Sequence, residues 1–329
     1  MIDKLRKTRP KGRPKSDPSV LAKKWVSKGG RCLFAVFRLV LIIGLGFLII
    51  QPLLIKLANS FMSLSDVYDP SVILLSKAPT LYNYERVWEY MSYPTRFLYT
   101  ILFCMAISVI QMLSCVLTAY GLARFRFRGR GIVMAMAVFT MIVPPQTIML
   151  PLYMTFNRFS LQSVLSLGFL RQGANLIGTP WPVIVLSVFA VGYKNGLFIF
   201  LLRQYFKNIP KELEEAAYID GCGLFKTFVR IILPGAKAML VSIFLFAFVW
   251  QWNDYYYTSS LTPGMNVLST VLPEVGSLIS YAEGQLVGSL QGMLYDSAAL
   301  ILHILPLLIL YLFAQKGFVT SIERSGLVG

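Results

Sequence analysis

Between Arg96 and Arg124 the chain reads FLYTILFCMAISVIQMLSCVLTAYGLA, Phe97 to Ala123, without a charged residue. A helix of that length rises about 40 Å, more than the roughly 30 Å of hydrocarbon in a bilayer. Lipid offers the backbone no hydrogen bonds, so such a segment must close its own and be helical. The fold class is therefore all-α and membrane-spanning. Outward from this run lie five more apolar stretches: Leu39 to Ile55, extended back to Cys32; Gly131 to Asn157; Trp181 to Leu202, which contains Lys194; Ala238 to about Tyr257, which contains Asp254; and Ser297 to Gln315. The expectation is a six-helix domain over 32–316, with spans near 32–57, 97–123, 131–155, 181–202, 238–257 and 296–315, flanked by tails 1–31 and 317–329.

Composition excludes the rival classes. Of 329 residues 56% are hydrophobic and 14% charged, against roughly 45–50% and 25% in soluble domains. Soluble domains would lack the charge to cover themselves, and a disordered chain would not carry 23 Phe. The net charge of +16, from 31 basic and 15 acidic side chains, raises the question of a nucleic-acid surface. Placement answers it. Eleven Lys or Arg lie in the first 31 residues, four in the link Arg124, Arg126, Arg128 and Arg130, six from Arg203 to Lys237, and two at Lys316 and Arg324. With alternating spans these 23 of 31 share one side, whereas Ser259 to Gly292 holds none. Basic residues collect in cytoplasmic loops, so both termini are expected in the cytoplasm, with lipid and not nucleic acid as the surrounding partner.

The punctuated stretch from Arg9 to Pro18 reads as a basic, disordered tail at the membrane surface, in preference to an RNA-binding arm. The apolar run after it exceeds the roughly 7–15 residues of a signal-peptide core. Cys32, Cys104, Cys115 and Cys222 form no C-x-x-C pair and read as packing residues. Pro144, Pro145, Pro151 and Pro306 fall inside spans and are expected to bend them.

The segment from Gln204 to Ala236 is too patterned for a plain connection. Asn208 is expected to cap a helix that begins near Pro210, with Glu212, Glu214 and Glu215 at its positive end. Leu213, Ala216, Ala217 and Ile219 supply a small apolar face, and Gly221 can end the helix in the left-handed conformation. A second helix, Leu224 to Leu233, carries Phe225, Phe228, Ile231 and Ile232 as a stripe and stops at Pro234. A helix pair of this kind docks a partner, lies flat on the bilayer or packs on its own bundle.

The run Glu215-Ala216-Ala217-Tyr218-Ile219-Asp220-Gly221, with Phe225, Phe228 and Leu233-Pro234 after it and Leu202 to Phe206 and Ile209 to Leu213 before it, resembles the E-A-A-x-x-D-G loop of ATP-binding cassette importer permeases. Pro79 to Tyr84, Ala119 to Phe125, Phe127-Arg128-Gly129, Pro144-Pro145-Gln146, Trp252-Asn253-Asp254 and Gln315 to Val319 are similar to the maltose-type sugar branch. Departures are the ending Ser325 to Gly329, the long stretch from Ser160 to Pro180, and Asp296.

The resemblance implies a type I importer permease of the bacterial cytoplasmic membrane, carrying a carbohydrate, expected to be an oligosaccharide, by alternating access. It implies four partners beyond this chain: a second homologous permease, two ATPase subunits and an extracytoplasmic solute-binding protein. No G-x-x-x-x-G-K-[ST] occurs in the chain, so ATP and Mg are expected on the ATPase and no cofactor here. Glu215, Ala216, Ala217, Asp220, Gly221 and Phe225 are implied as the coupling residues: Glu215 for polar contacts, the alanines for close approach, Gly221 for a turn that a side chain would obstruct. For the sugar pathway, aromatic faces and hydrogen-bonding groups nominate Trp252, Asn253 and Asp254, although an aromatic interfacial belt explains the neighbouring tyrosines. Intramembrane ionisable groups add Asp296, with Lys194 and His303. No catalytic or metal site is assigned. The alternatives are a permease for a peptide or another non-sugar solute, and a polytopic membrane enzyme or assembly protein.

Overall fold

A computed structural model describes residues 18–159, 174–284 and 288–326, with side chains for 33–159, 174–284 and 288–315. The regular structure among the described residues is helical, apart from a single bridge between Phe159 and Ala174. Most of the Ser160–Pro180 departure lies outside the described residues, as do residues 1–17 of the basic tail. The chain divides into two compact units, residues 1–55 and 56–329. The first is most of a helix, Pro18–Ser60, so the expected tail is helical from Pro18 onward.

In the second unit the central element is the Tyr93–Arg124 helix, the stretch that opened the reading. It packs along the Asn195–Asn208 and Lys237–Trp252 helices. The Leu290–Gly326 helix packs on Lys237–Trp252, and at its N-terminal end on Val275–Ala282 and Tyr82–Tyr90. Lipid removes the hydrophobic drive between helices, so close backbone approach must supply the packing. Two glycines provide it. A Cβ on Gly196 would come within 2.2 Å of Ala137 O, and one on Gly276 within 2.2 Å of Gly292 O. The apolar side chains left exposed, such as Leu102, Leu113, Leu117 and Phe139, are the complement expected of helices that face hydrocarbon.

Among the described residues three helices are long and apolar enough to cross a membrane: Leu33–Ser60, Tyr93–Arg124 and Leu290–Gln315. Two bent pairs raise this to five: Arg130–Ile142 with Pro145–Asn157 at 107°, and Leu224–Gly235 with Lys237–Trp252 at 78°. Several of these helices differ in their bounds from the expected spans. Pro144 and Pro145 break the third stretch, since Pro144 is extended and Pro145 starts a new helix. The fourth, Trp181 to Leu202, is two helices, Trp181–Val188 and Asn195–Asn208, separated by a break that holds Ala190 and Lys194 at φ +56° and +66°. The fifth stops at Trp252, and Tyr256–Leu261 is separate. Pro306 stays inside its helix, which continues through the expected tail to Gly326.

Candidate functional site

The loop after Asn208 is built onto one end of the Tyr93–Arg124 helix. Asn208 ends the preceding helix instead of capping the next, because Ile209 precedes Pro210 and is extended (φ −70°, ψ 127°). The loop helix runs Glu212–Ile219 with Lys211 at its N-cap, and Glu212, Glu214 and Glu215 occupy its first turn, where the helix dipole favours negative charge. At its end Gly221 takes φ +78°; its N–H donates to Tyr218 O at 3.0 Å, and Cys222 N–H donates to Ala217 O at 2.9 Å. Both bonds satisfy carbonyls that the terminating helix would leave open. No atom lies within 4 Å of a Cβ placed on Gly221. Within this chain its requirement is therefore the backbone conformation, not the room that the resemblance implied.

Eight residues of helix are too few to stand alone in water. What holds them is a polar latch. Glu214 is buried; its Oε1 lies 3.0 Å from Arg124 Nε and accepts the Tyr120 hydroxyl at 3.1 Å. The Arg124 Nε contact is a charge contact and not an aligned hydrogen bond. A second guanidinium nitrogen of Arg124 donates to Ile209 O at 2.8 Å. The side chains of the pair are only 6% and 10% exposed; removing one partner of such a pair costs about 3–5 kcal/mol, because the other charge is stranded. Around it Tyr120 packs on Phe206 and Phe228, with ring centroids 5.7 Å and 4.5 Å away.

Phe228 begins a five-residue π-turn, Phe228–Ile232, that turns both Phe228 and Ile232 inward. The helical path does not stop at Pro234 but reaches Gly235. Neither Glu214 nor Arg124 stands out in the sequence as a contact. The available signal is the spacing of Glu214 and Ala217, which shares one inward helix face.

The nominated coupling residues divide by face. Glu215, Ala216, Asp220, Gly221 and Phe225 are exposed, and Phe225 (73%) and Ile219 (86%) form an apolar projection. Ala217 is buried inside the chain, so the close approach assigned to it is internal. Leu213 and Ile219, expected to share a small apolar face with it, are exposed.

The nominated pathway residues do not gather into one cluster. Trp252 is buried, donating its indole N–H to His303 O at 3.1 Å. Asp254 is buried and starts the Tyr256–Leu261 helix: its carboxylate accepts Thr258 N at 2.9 Å, Thr258 Oγ1 at 2.6 Å and Tyr257 N at 3.3 Å. Asp296 accepts the Gly276 amide at 2.8 Å where the two backbones cross. Asn253 is exposed, and its amide donates to Val249 O at 2.7 Å. His303 is buried in the Leu290–Gly326 helix. Lys194 lies instead beside a cavity of about 310 Å³, between the break before Asn195 and the bend at Pro145.

The site is thus an apolar helical bundle carrying a loop helix that is tied to it through Glu214 and exposed on its opposite face. The chain belongs to the family of binding-protein-dependent transport system inner membrane components, whose model matches residues 112–324. The "Probable ABC transporter permease protein YurM" of Bacillus subtilis (strain 168) is 29% identical over 283 residues, 85% of this chain and 84% of its own. The maltodextrin transport system permease protein MdxG of the same organism is 28% identical over 287 residues, 87% and 93% of the two chains. A solved bacterial ABC transporter involved in the import of the acidic polysaccharide alginate shares the fold at a TM-score of 0.66 and 23% identity, over 87% of this chain and 97% of that one. The protein is thus a multi-pass permease subunit of a binding-protein-dependent transporter; it is a transport component and not an enzyme, working with an ATPase and a solute-binding protein.

Proposed function

We propose that this permease imports a carbohydrate, and that its loop helix Glu212–Ile219 is the knob through which the ATPase drives it. The carbohydrate follows from the maltodextrin relative and from the sugar-branch motifs. The observation that carries the coupling role is the latch. A helix clamped through Glu214 to Arg124 cannot move without moving the Tyr93–Arg124 helix, so a push on the knob becomes a rigid-body rotation of the bundle.

Glu215, Ala216, Asp220, Gly221 and Phe225 are its contact surface, with Ala217 as its internal seat. The loop and both termini face the cytoplasm, the side favoured by the basic residues. The working assembly pairs this chain with a second, homologous permease, two ATPase subunits holding ATP and Mg, and an extracytoplasmic binding protein. Along the pathway, Asn253 has the best support, as an exposed amide; Trp252, Asp254 and Asp296 frame the walls through their internal bonds.

The test is ATP hydrolysis by the reconstituted complex with its binding protein, across a panel of oligosaccharides and oligopeptides. Stimulation by at least one oligosaccharide and by no peptide is expected; stimulation by peptides alone overturns the carbohydrate reading.

A further inference from the structure

Lys194 poses a problem of charge at depth. Gln111 stands next to the midpoint of the uncharged run Phe97 to Ala123, and its side-chain amide donates to Tyr193 O at 2.6 Å. Lys194 is therefore anchored at the level where hydrocarbon is deepest, beyond reach of the headgroups that a snorkelling lysine would seek. The residue is exposed and lines the cavity beside it, and its ammonium lies over aromatic faces, 5.0 Å from the Tyr193 ring centroid and 5.7 Å from that of Trp250. Among the described residues no carboxylate pairs with it. Asp254, close by in sequence to the cavity-lining Tyr257, has its carboxylate engaged by Thr258 and Tyr257.

The backbone here is irregular at a depth where irregular backbone is tolerated only if it lines a wet cavity or is covered by protein. Two of the three non-glycine residues with positive φ among the described residues, Ala190 and Lys194, fall in this one break. The adjoining cavity of about 310 Å³ is walled by Thr140, Tyr193, Tyr257, Lys194 and apolar residues, near the small end of the roughly 300–1,000 Å³ of ligand pockets. Hydroxyls, aromatic faces and a single cation match one sugar unit that bears one negative charge.

From this we infer that the Lys194 cavity is a subsite for a uronate unit, so that the cargo is an acidic oligosaccharide; the inference rests on the carbohydrate reading above and narrows it. A carboxylate carries one charge and balances one ammonium. A phosphate ester near −1.5 to −2 at pH 7 would leave charge uncompensated in a low dielectric. The aromatic faces hold the ammonium in place without neutralising it, so the anion arrives to a preset partner.

The experiment uses the complete complex with its binding protein in proteoliposomes, measuring uptake of tetragalacturonate, maltotetraose and a phosphorylated maltotetraose. Tetragalacturonate is expected to be the preferred cargo. Lys194→Met is expected to cut its uptake about tenfold or more, the scale of one lost hydrogen bond to a charged group, while Lys194→Arg retains most of it and both variants still copurify with the ATPase. Preference for maltotetraose or for the phosphate ester overturns the inference. So does loss in both variants alike, or an equal loss of acidic and neutral cargo, since either would make Lys194 a structural pairing residue of the assembly. If no saccharide enters at all, the broader carbohydrate reading fails instead.

Discussion

Gly221 sits at φ +78° with open space around its missing side chain, so its replacements should rank by backbone preference and not by size. The left-handed region admits Asn with little penalty and is an outlier for β-branched residues. Gly221→Asn is expected to keep most uptake, while Gly221→Val loses transport-linked ATP hydrolysis with membrane insertion intact. Equal loss in the two variants would point to a steric role against the ATPase. Side by side, Glu214 and Glu215 look alike in sequence, yet Glu214 is buried against Arg124 and Glu215 is exposed. What separates them is a partner ninety positions away, which no local pattern reveals. Gly221 was legible, because ending a helix at a glycine is a local event.

At the scale of the element, the uncharged run Phe97 to Ala123 announces its helix, because lipid leaves the backbone one choice. The division of Trp181 to Leu202 is not announced. Hydropathy sees apolar residues on both sides of the break, while the break itself depends on left-handed backbone at Ala190 and Lys194. The same holds for the pathway nominees: type and position suggest sugar contacts for Trp252 and Asp254, whereas their bonds to His303 O and Thr258 are tertiary.

One connecting segment makes a pH prediction. The Asp66 carboxylate accepts bonds from Ser76 Oγ and from the Ala78 amide, and these hold its pKa below the ordinary aspartate value. A depressed carboxylate stabilises the fold above its unfolded pKa, about 3.9, and that stabilisation is lost as pH falls through the folded value. The protection factors for amide exchange across residues 64–80, taken relative to the intrinsic rate at each pH, are expected to fall below about pH 4. In Asp66→Asn the pH-dependent share due to this group should vanish; an unchanged profile would remove Asp66 from that role.

For the whole molecule, the loop helix, the latch and the Tyr93–Arg124 helix make up the proposed lever, with Tyr120 and Arg124 at one end and the Gln111–Tyr193 contact halfway along. On the proposed reading, motion entering at the exposed Ile219 and Phe225 would reach the level of the Lys194 cavity through packed, hydrogen-bonded contacts and not through a loose loop. This two-ended connection is the physical content of coupling between sites. Its most direct test is the ratio of ATP hydrolysed to sugar imported by the reconstituted complex carrying Arg124→Met. The ratio is expected to rise about tenfold or more, with hydrolysis sustained, the ATPase still bound and uptake collapsed. A ratio equal to that of the wild type would contradict the lever.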